Sequence, residues 1–146
     1  MGRRSQGMGL AAATILAIAL IVGAVAVLAR GGGGETIRGT NGKDHLVGTQ
    51  RADTILGRGA ADVLRGRRGN DVLNGGTGGD RLTGGKGYDR LTGAGGSDLI
   101  RARDGHLDTV NCGPGRDRAV VDRAEDGVYD CERLVTPKSF QKGRGG

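Results

Sequence analysis

GGTGGDRLT (75–83) runs directly into GGKGYDRLT (84–92), and the two nonapeptides differ only at their third and fifth places. Outward from this pair the same frame holds from Gly39 to Arg101. It reads GTNGKDHLV (39–47), GTQRADTIL (48–56), GRGAADVLR (57–65), GRRGNDVLN (66–74), the two quoted units, and GAGGSDLIR (93–101). The sixth place is Asp in all seven units: Asp44, Asp53, Asp62, Asp71, Asp80, Asp89 and Asp98. The eighth is Leu or Ile: Leu46, Ile55, Leu64, Leu73, Leu82, Leu91 and Ile100. One residue is then inserted within 102–111, after which Asp108-Thr109-Val110 resumes the Asp-x-apolar pattern. CGPGRDRAV (112–120) supplies Asp117, and Asp126-Gly127-Val128 lies nine residues beyond it. Self-similarity held in phase at such a period marks a solenoid.

The physics of one unit explains the pattern. Glycine accounts for 32 of the 146 residues and crowds the first five places, where tight turning needs positive φ. The x-apolar-x triplet at places seven to nine is too short for a helix and suits a short strand with its central side chain inward. A single unit cannot bury its lone Leu, but stacked units can. Stacking also sets the Asp residues in rows whose like charges repel, and a cation between successive turns removes that repulsion. Arginine is the rival neutraliser. In a strand, Asp80-Arg81, Asp89-Arg90 and Asp117-Arg118 face opposite ways, so only cross-layer pairs could serve. With no Trp, one Phe and two Tyr, an ordinary aromatic-rich core is excluded, and two prolines exclude collagen.

These units resemble the RTX, or haemolysin-type, calcium-binding repeat, G-G-x-G-x-D-x-U-x with U a large apolar residue. The units at 75–83 and 84–92 match it at every specified place. The resemblance implies an all-β fold, a parallel β-roll (β-solenoid) with two nonapeptides per turn and Ca²⁺ between turns on the same edge. Carried over by motif position, Asp44, Asp62, Asp80 and Asp98 would be ligands along one edge, and Asp53, Asp71 and Asp89 along the other. Asp117 continues the set in a degenerate unit. Backbone carbonyls of Gly69, Gly75, Gly76, Gly78, Gly84, Gly85, Gly87 and Gly96 would supply much of the rest. An oxygen-only set suits a hard cation taking six to eight ligands at about 2.3–2.6 Å. Arg51 and Ala60 replace the fourth-place Gly in units two and three, so the best sites are expected between Gly66 and Asp98. So few large apolar residues cannot offset chain entropy alone, and folding is expected to be coupled to metal uptake.

The remaining segments divide as follows. Residues 1–29 combine Arg3 and Arg4 with twenty uncharged residues from Leu10 to Ala29. That is the layout of an export signal, with Val27-Leu28-Ala29 as a cleavage site, or of an uncleaved anchor. Either places the rest of the chain outside the cytoplasm, secreted or held at the cell surface, with membrane contact only if the segment is retained. Residues 30–38, with four consecutive glycines, are expected to be a flexible linker. Cys112 and Cys131, the only cysteines, are expected to form a disulfide in an exported chain. This disulfide closes a C-terminal cap within 102–135, and 136–146 is a polar tail.

The net charge is +6, and removing Arg3 and Arg4 leaves +4. The RTX repeats this chain resembles are usually acidic, so its basicity is a departure from them. It fits either an anionic cell-wall polymer or polysaccharide as partner, or arginines that merely keep a small roll soluble. The aromatic platforms of single-strand binders are missing, so no specific nucleic-acid partner is expected. No Gly-x-Ser-x-Gly, His-Glu-x-x-His or phosphate loop occurs, and His45 and His106 fall in repeat or insert positions. The expected function is calcium binding by an exported, non-enzymatic module, with an adhesive or structural envelope protein as the alternative.

Overall fold

The computed structural model describes residues 33–122 and 127–136, which form twelve strands and no helix. The expectations for the N-terminal signal or anchor and for the tail beyond Thr136 lie outside the described residues. One six-stranded sheet contains β1 (Thr36–Arg38), β3 (Thr54–Gly59), β5 (Val72–Thr77), β7 (Arg90–Gly95), β9 (Thr109–Asn111) and β11 (Gly127–Tyr129). The other contains β2 (His45–Val47), β4 (Val63–Arg68), β6 (Arg81–Lys86), β8 (Leu99–Ala102), β10 (Arg118–Val121) and β12 (Arg133–Val135). Successive strands alternate between sheets, and every pairing is parallel. Ile37 aligns with Ile55, Ile55 with Leu73 and Leu73 with Leu91, eighteen residues per step. Two nonapeptides therefore make one turn of a β-roll, because each strand of one sheet is the crossover between parallel neighbours of the other.

The core is two files of eighth-place side chains. Ile37, Leu46, Ile55, Leu64, Leu73, Leu82, Leu91 and Ile100 are all buried, and Val110 and Ala119 continue the files past the insertion. Each fully buried Leu or Ile contributes roughly 1.5–3 kcal/mol, realised only when the next turn covers it. The strands β3 to β7 span six residues rather than the expected triplet. Pairing continues through the third place, as in Gly59↔Thr77 and Thr77↔Gly95, so the turn shrinks to places four to six.

One boundary differs from expectation. Residues 36–38, expected in the linker, form β1, because Glu35 and Ile37 occupy the sixth and eighth places of an eighth, glycine-rich unit that precedes the seven. Ile37 thereby enters the core. The closing segment holds degenerate repeats: β9 to β12 extend both sheets in parallel, but the step is nineteen residues from β7 to β9 and from β8 to β10, eighteen from β9 to β11 and fifteen from β10 to β12. Cys112 and Cys131 do pair, with Cα atoms 5.1 Å apart, tying the residue after β9 to the residue two beyond β11.

The outer faces carry the cations. Among the described residues no strand contains an acidic residue. On the even-numbered sheet every strand from β4 to β12 carries an exposed arginine, Arg65 (with Arg67 and Arg68), Arg81, Arg101, Arg118 and Arg133. Arg65, Arg81 and Arg101 border one shallow depression of about 60 Å³.

Candidate metal centre

The Asp residues stand at the corners between the sheets, each within 5% of complete burial. One carboxylate oxygen has a backbone role. From Asp53 onward, Oδ1 of each ladder Asp accepts the N–H of the sixth-place residue one turn earlier. Along one edge Glu35 donates to Asp53 (2.7 Å), Asp53 to Asp71 (2.7 Å), Asp71 to Asp89 (2.8 Å) and Asp89 to Asp108 (2.9 Å). Along the other, Asp44 donates to Asp62, Asp62 to Asp80, Asp80 to Asp98 and Asp98 to Asp117, each at 2.8 Å. Asp117 donates to Glu132 Oε2 at 2.6 Å, which ends that ladder. These bonds satisfy N–H groups that the corner withdraws from the sheets, and the anionic acceptor strengthens each one.

The second oxygen divides the units. In units one and two Oδ2 is taken. Thr40 donates its N–H to Asp44 at 2.6 Å and its hydroxyl at 3.1 Å, and Thr49 does the same to Asp53 at 2.5 Å and 3.0 Å. In units three to seven Oδ2 of Asp62, Asp71, Asp80, Asp89 and Asp98 is buried with no hydrogen-bond partner, and Asp117 Oδ2 shares that state. The backbone changes at the same boundary. Second and fourth places have positive φ in units three to seven, through Arg58 (87°), Ala60 (68°), Arg67 (90°), Ala94 (75°) and glycines such as Gly76 (103°) and Gly78 (129°), whereas units one and two have neither. Ala60, whose unit was expected to fall outside the best sites, thus adopts the same positive φ as the fourth-place glycines.

Backbone oxygens face the same corner. A Cβ on Gly48 would stand 2.7 Å from Asp53 Oδ2 and 2.6 Å from the Gly66 carbonyl oxygen. On Gly57 it would collide with Asp62 Oδ2 and the Gly75 carbonyl, and on Gly66 with Asp71 Oδ2 and the Gly84 carbonyl. First-place glycine therefore lets the carboxylate and the next turn's carbonyl approach one point. Among the described residues no three His, Cys, Asp or Glu side chains converge. A corner offers one carboxylate plus main-chain oxygens, a donor set that fits a hard cation and does not fit zinc.

Electrostatics points the same way. Burial, the largest cause, pushes the Asp71 carboxyl up to about 7, with Asp89 and Asp53 adding repulsion against the N–H bond from Asp53. Burial likewise pushes Asp98 up to about 6, and raises Asp62, Asp80, Asp89 and Asp117. Asp104, in the inserted loop, moves the other way: despite its burial, the N–H groups of His106 and Gly87 and the His106 ring hold it below the ordinary value. His106–Asp104, at 2.8 Å, is the one ion pair among the described residues. Among the described residues no arginine pairs with Asp62, Asp71, Asp80, Asp89 or Asp98.

The expected site residues are thus distributed plainly. All seven Asp, and Asp117, lie in the two ladders. Gly75 and Gly84 present first-place carbonyls. Gly76 and Gly85 hold second places within β5 and β6, and Gly69, Gly78, Gly87 and Gly96 hold fourth-place turns, all with positive φ. The carbonyls of Gly57 and Gly66, the end rungs Glu35 and Glu132, and the two threonines were not foreseen. The signal for the first two was available, since the first place is Gly in all seven units while the second and fourth places vary.

Comparison with known families finds four copies of the RTX calcium-binding nonapeptide repeat, over residues 30–50, 38–73, 47–82 and 74–106. The first copy covers the segment that supplies β1. Comparisons with curated proteins and with solved structures find no significant match.

Proposed function

The chain belongs to the RTX calcium-binding nonapeptide repeat family, and on that premise we propose that it is an exported, non-enzymatic calcium-binding protein whose β-roll folds as Ca²⁺ is taken up between its turns. The observation that carries this is the row of buried Asp Oδ2 atoms without partners on both edges. A buried ionised carboxylate with an unpaired oxygen opposes folding, and rows of them oppose it cooperatively. Ca²⁺ supplies a hard positive charge for six to eight oxygens, and affinities of about 10⁻⁴–10⁻³ M are typical of extracellular modules. Asp62, Asp71, Asp80, Asp89, Asp98 and Asp117 would hold it with main-chain carbonyls of the turns. The chain's own contribution is to fix each carboxylate through its Oδ1 bond and to keep side chains out of the corner with first-place glycine. Far-ultraviolet circular dichroism tests the reading: β signal rises with calcium to the millimolar range and is reversed by chelator. A chelated protein as ordered and as protease-resistant as the loaded one would end it.

Export is supported by the apolar segment after Arg3 and Arg4 and by the disulfide, which persists in oxidising compartments. Chain recovered from the medium with an N-terminus just past Ala29 fits a cleaved signal, and full-length chain in membranes fits the anchor. Full-length chain in the cytoplasm would refute both.

One observation favours a second reading, an envelope protein that engages an anionic polysaccharide. Five exposed arginines on successive strands of one sheet face solvent with no carboxylate in that sheet. At about 4.8 Å per strand they extend over roughly 19 Å, and guanidinium forks bind carboxylates two-pronged. Co-sedimentation of the loaded protein with a polyuronate is expected, weakened by salt and by Arg65→Gln/Arg81→Gln/Arg101→Gln. Equal retention of that variant would remove the reading, and preference for duplex DNA would replace the polysaccharide with nucleic acid.

A further inference from the structure

The split between units two and three coincides with a single position in the frame. Second-place residues are Thr40, Thr49, Arg58, Arg67, Gly76, Gly85 and Ala94. Both threonines lack positive φ and turn their N–H onto Oδ2 of their own unit's Asp. The five others have positive φ, and no N–H reaches the corresponding Oδ2. β-Branched threonine resists the left-handed region that glycine enters freely and that Arg58, Arg67 and Ala94 enter at a cost. The threonine hydroxyl then adds a second donor and accepts the N–H of the fourth-place residue, Gly42 or Arg51, at 3.0 and 3.2 Å. The turn closes on itself, with two threonine donors on one carboxylate oxygen.

We infer that the second-place residue decides whether a unit takes calcium, and that Thr40 and Thr49 make units one and two a metal-independent turn on the N-terminal side of the calcium-loaded ones. The inference rests on the calcium reading above and adds which carboxylates the ions leave alone. It moves the boundary of the sites. Unit three, with Ala60 at its fourth place, belongs with the loaded turns, and Asp44 and Asp53 are structural acceptors. It also gives the N-terminal end a physical role. Repeats towards a solenoid's end differ from the interior ones, and here that turn carries its own donors in place of a cation.

The test is the calcium count of the full chain by equilibrium dialysis at saturating Ca²⁺, alongside circular dichroism. Thr40→Gly/Thr49→Gly frees both Oδ2 atoms and both backbones, and is expected to bind two more ions than the parent. Asp80→Asn is expected to lose one ion and Asp53→Asn none, although Asp53→Asn sacrifices the threonine bonds and melts at a lower temperature. An unchanged count in the double glycine variant, or its failure to fold in calcium, overturns the inference, since the corner would then be unable to exchange threonine donors for a cation. An equal loss from Asp53→Asn and Asp80→Asn overturns it as well. A parent chain that binds no calcium would instead sink the family-based reading, so the two failures are distinct.

Discussion

Asp71→Asn should change the roll in opposite directions with and without calcium. Asp71 sits mid-ladder, its Oδ1 accepting the Asp53 N–H and its Oδ2 buried beside the Gly66 Cα and the Gly84 carbonyl. Its carboxyl is displaced from 3.8 to about 7. Keeping it ionised in the metal-free fold at pH 8 therefore costs at most about 4 kcal/mol relative to the unfolded chain, at ~1.4 kcal/mol per pKa unit. Solvent close to the turn screens part of this, leaving on the order of 2 kcal/mol. Asparagine keeps the Oδ1 acceptor and places an NH₂ toward the Gly84 carbonyl, so in chelator the variant should gain most of that 2 kcal/mol. In calcium it loses the anionic ligand of one corner and should be less stable than the parent. Sulfate-driven folding in chelator and urea unfolding in millimolar calcium, both followed by circular dichroism, read the two signs. Destabilisation in both buffers, or no change in chelator, would refute the claim that uncompensated buried charge keeps the metal-free roll from forming.

The same shifts set a pH dependence. A carboxyl raised in the fold adds stability that is whole below its unfolded pKa and is lost as pH rises through the folded value. Metal-free protein should therefore gain β signal on acidification from pH 8 toward 5, through the values of about 7 and about 6 of Asp71 and Asp98; a flat profile in chelator would contradict this. Gly66→Ala drives a Cβ into Asp71 Oδ2 and the Gly84 carbonyl, whereas a Cβ at Gly95 meets nothing within 4 Å. Thermal unfolding in calcium should show Gly66→Ala destabilised by about 1–3 kcal/mol and Gly95→Ala close to parent. Cys131→Ser opens a link across 19 positions and should cost about 3 kcal/mol on a chain-entropy account, seen as an earlier urea midpoint that reductant reproduces in the parent.

Much of this molecule was legible because its information is one-dimensional. The eighth-place Leu and Ile residues declare the core, the spacing of Asp declares two rows, and the pairing of unit n with unit n+2 follows from having two edges. The segment around Glu35 was obscured by the four glycines before it, since linker and turn share a composition. The closing segment was harder to read because its frame slips by one residue at the insertion, where Asp104 now accepts the Gly87 N–H at 2.8 Å.

Taken alone, the order of residues determined the solenoid, its period and the identity of its carboxylates, because a repeat that cannot bury its own side chain has few ways to stack. What only the tertiary structure decided is how each carboxylate is used. Oδ1 is committed to the backbone of the previous turn, and the fate of Oδ2 depends on which way one peptide faces. That orientation follows from φ at the second place and from contacts eighteen residues away. A linear motif does not encode it, because threonine and glycine fit the same repeat yet leave different oxygens exposed to a cation.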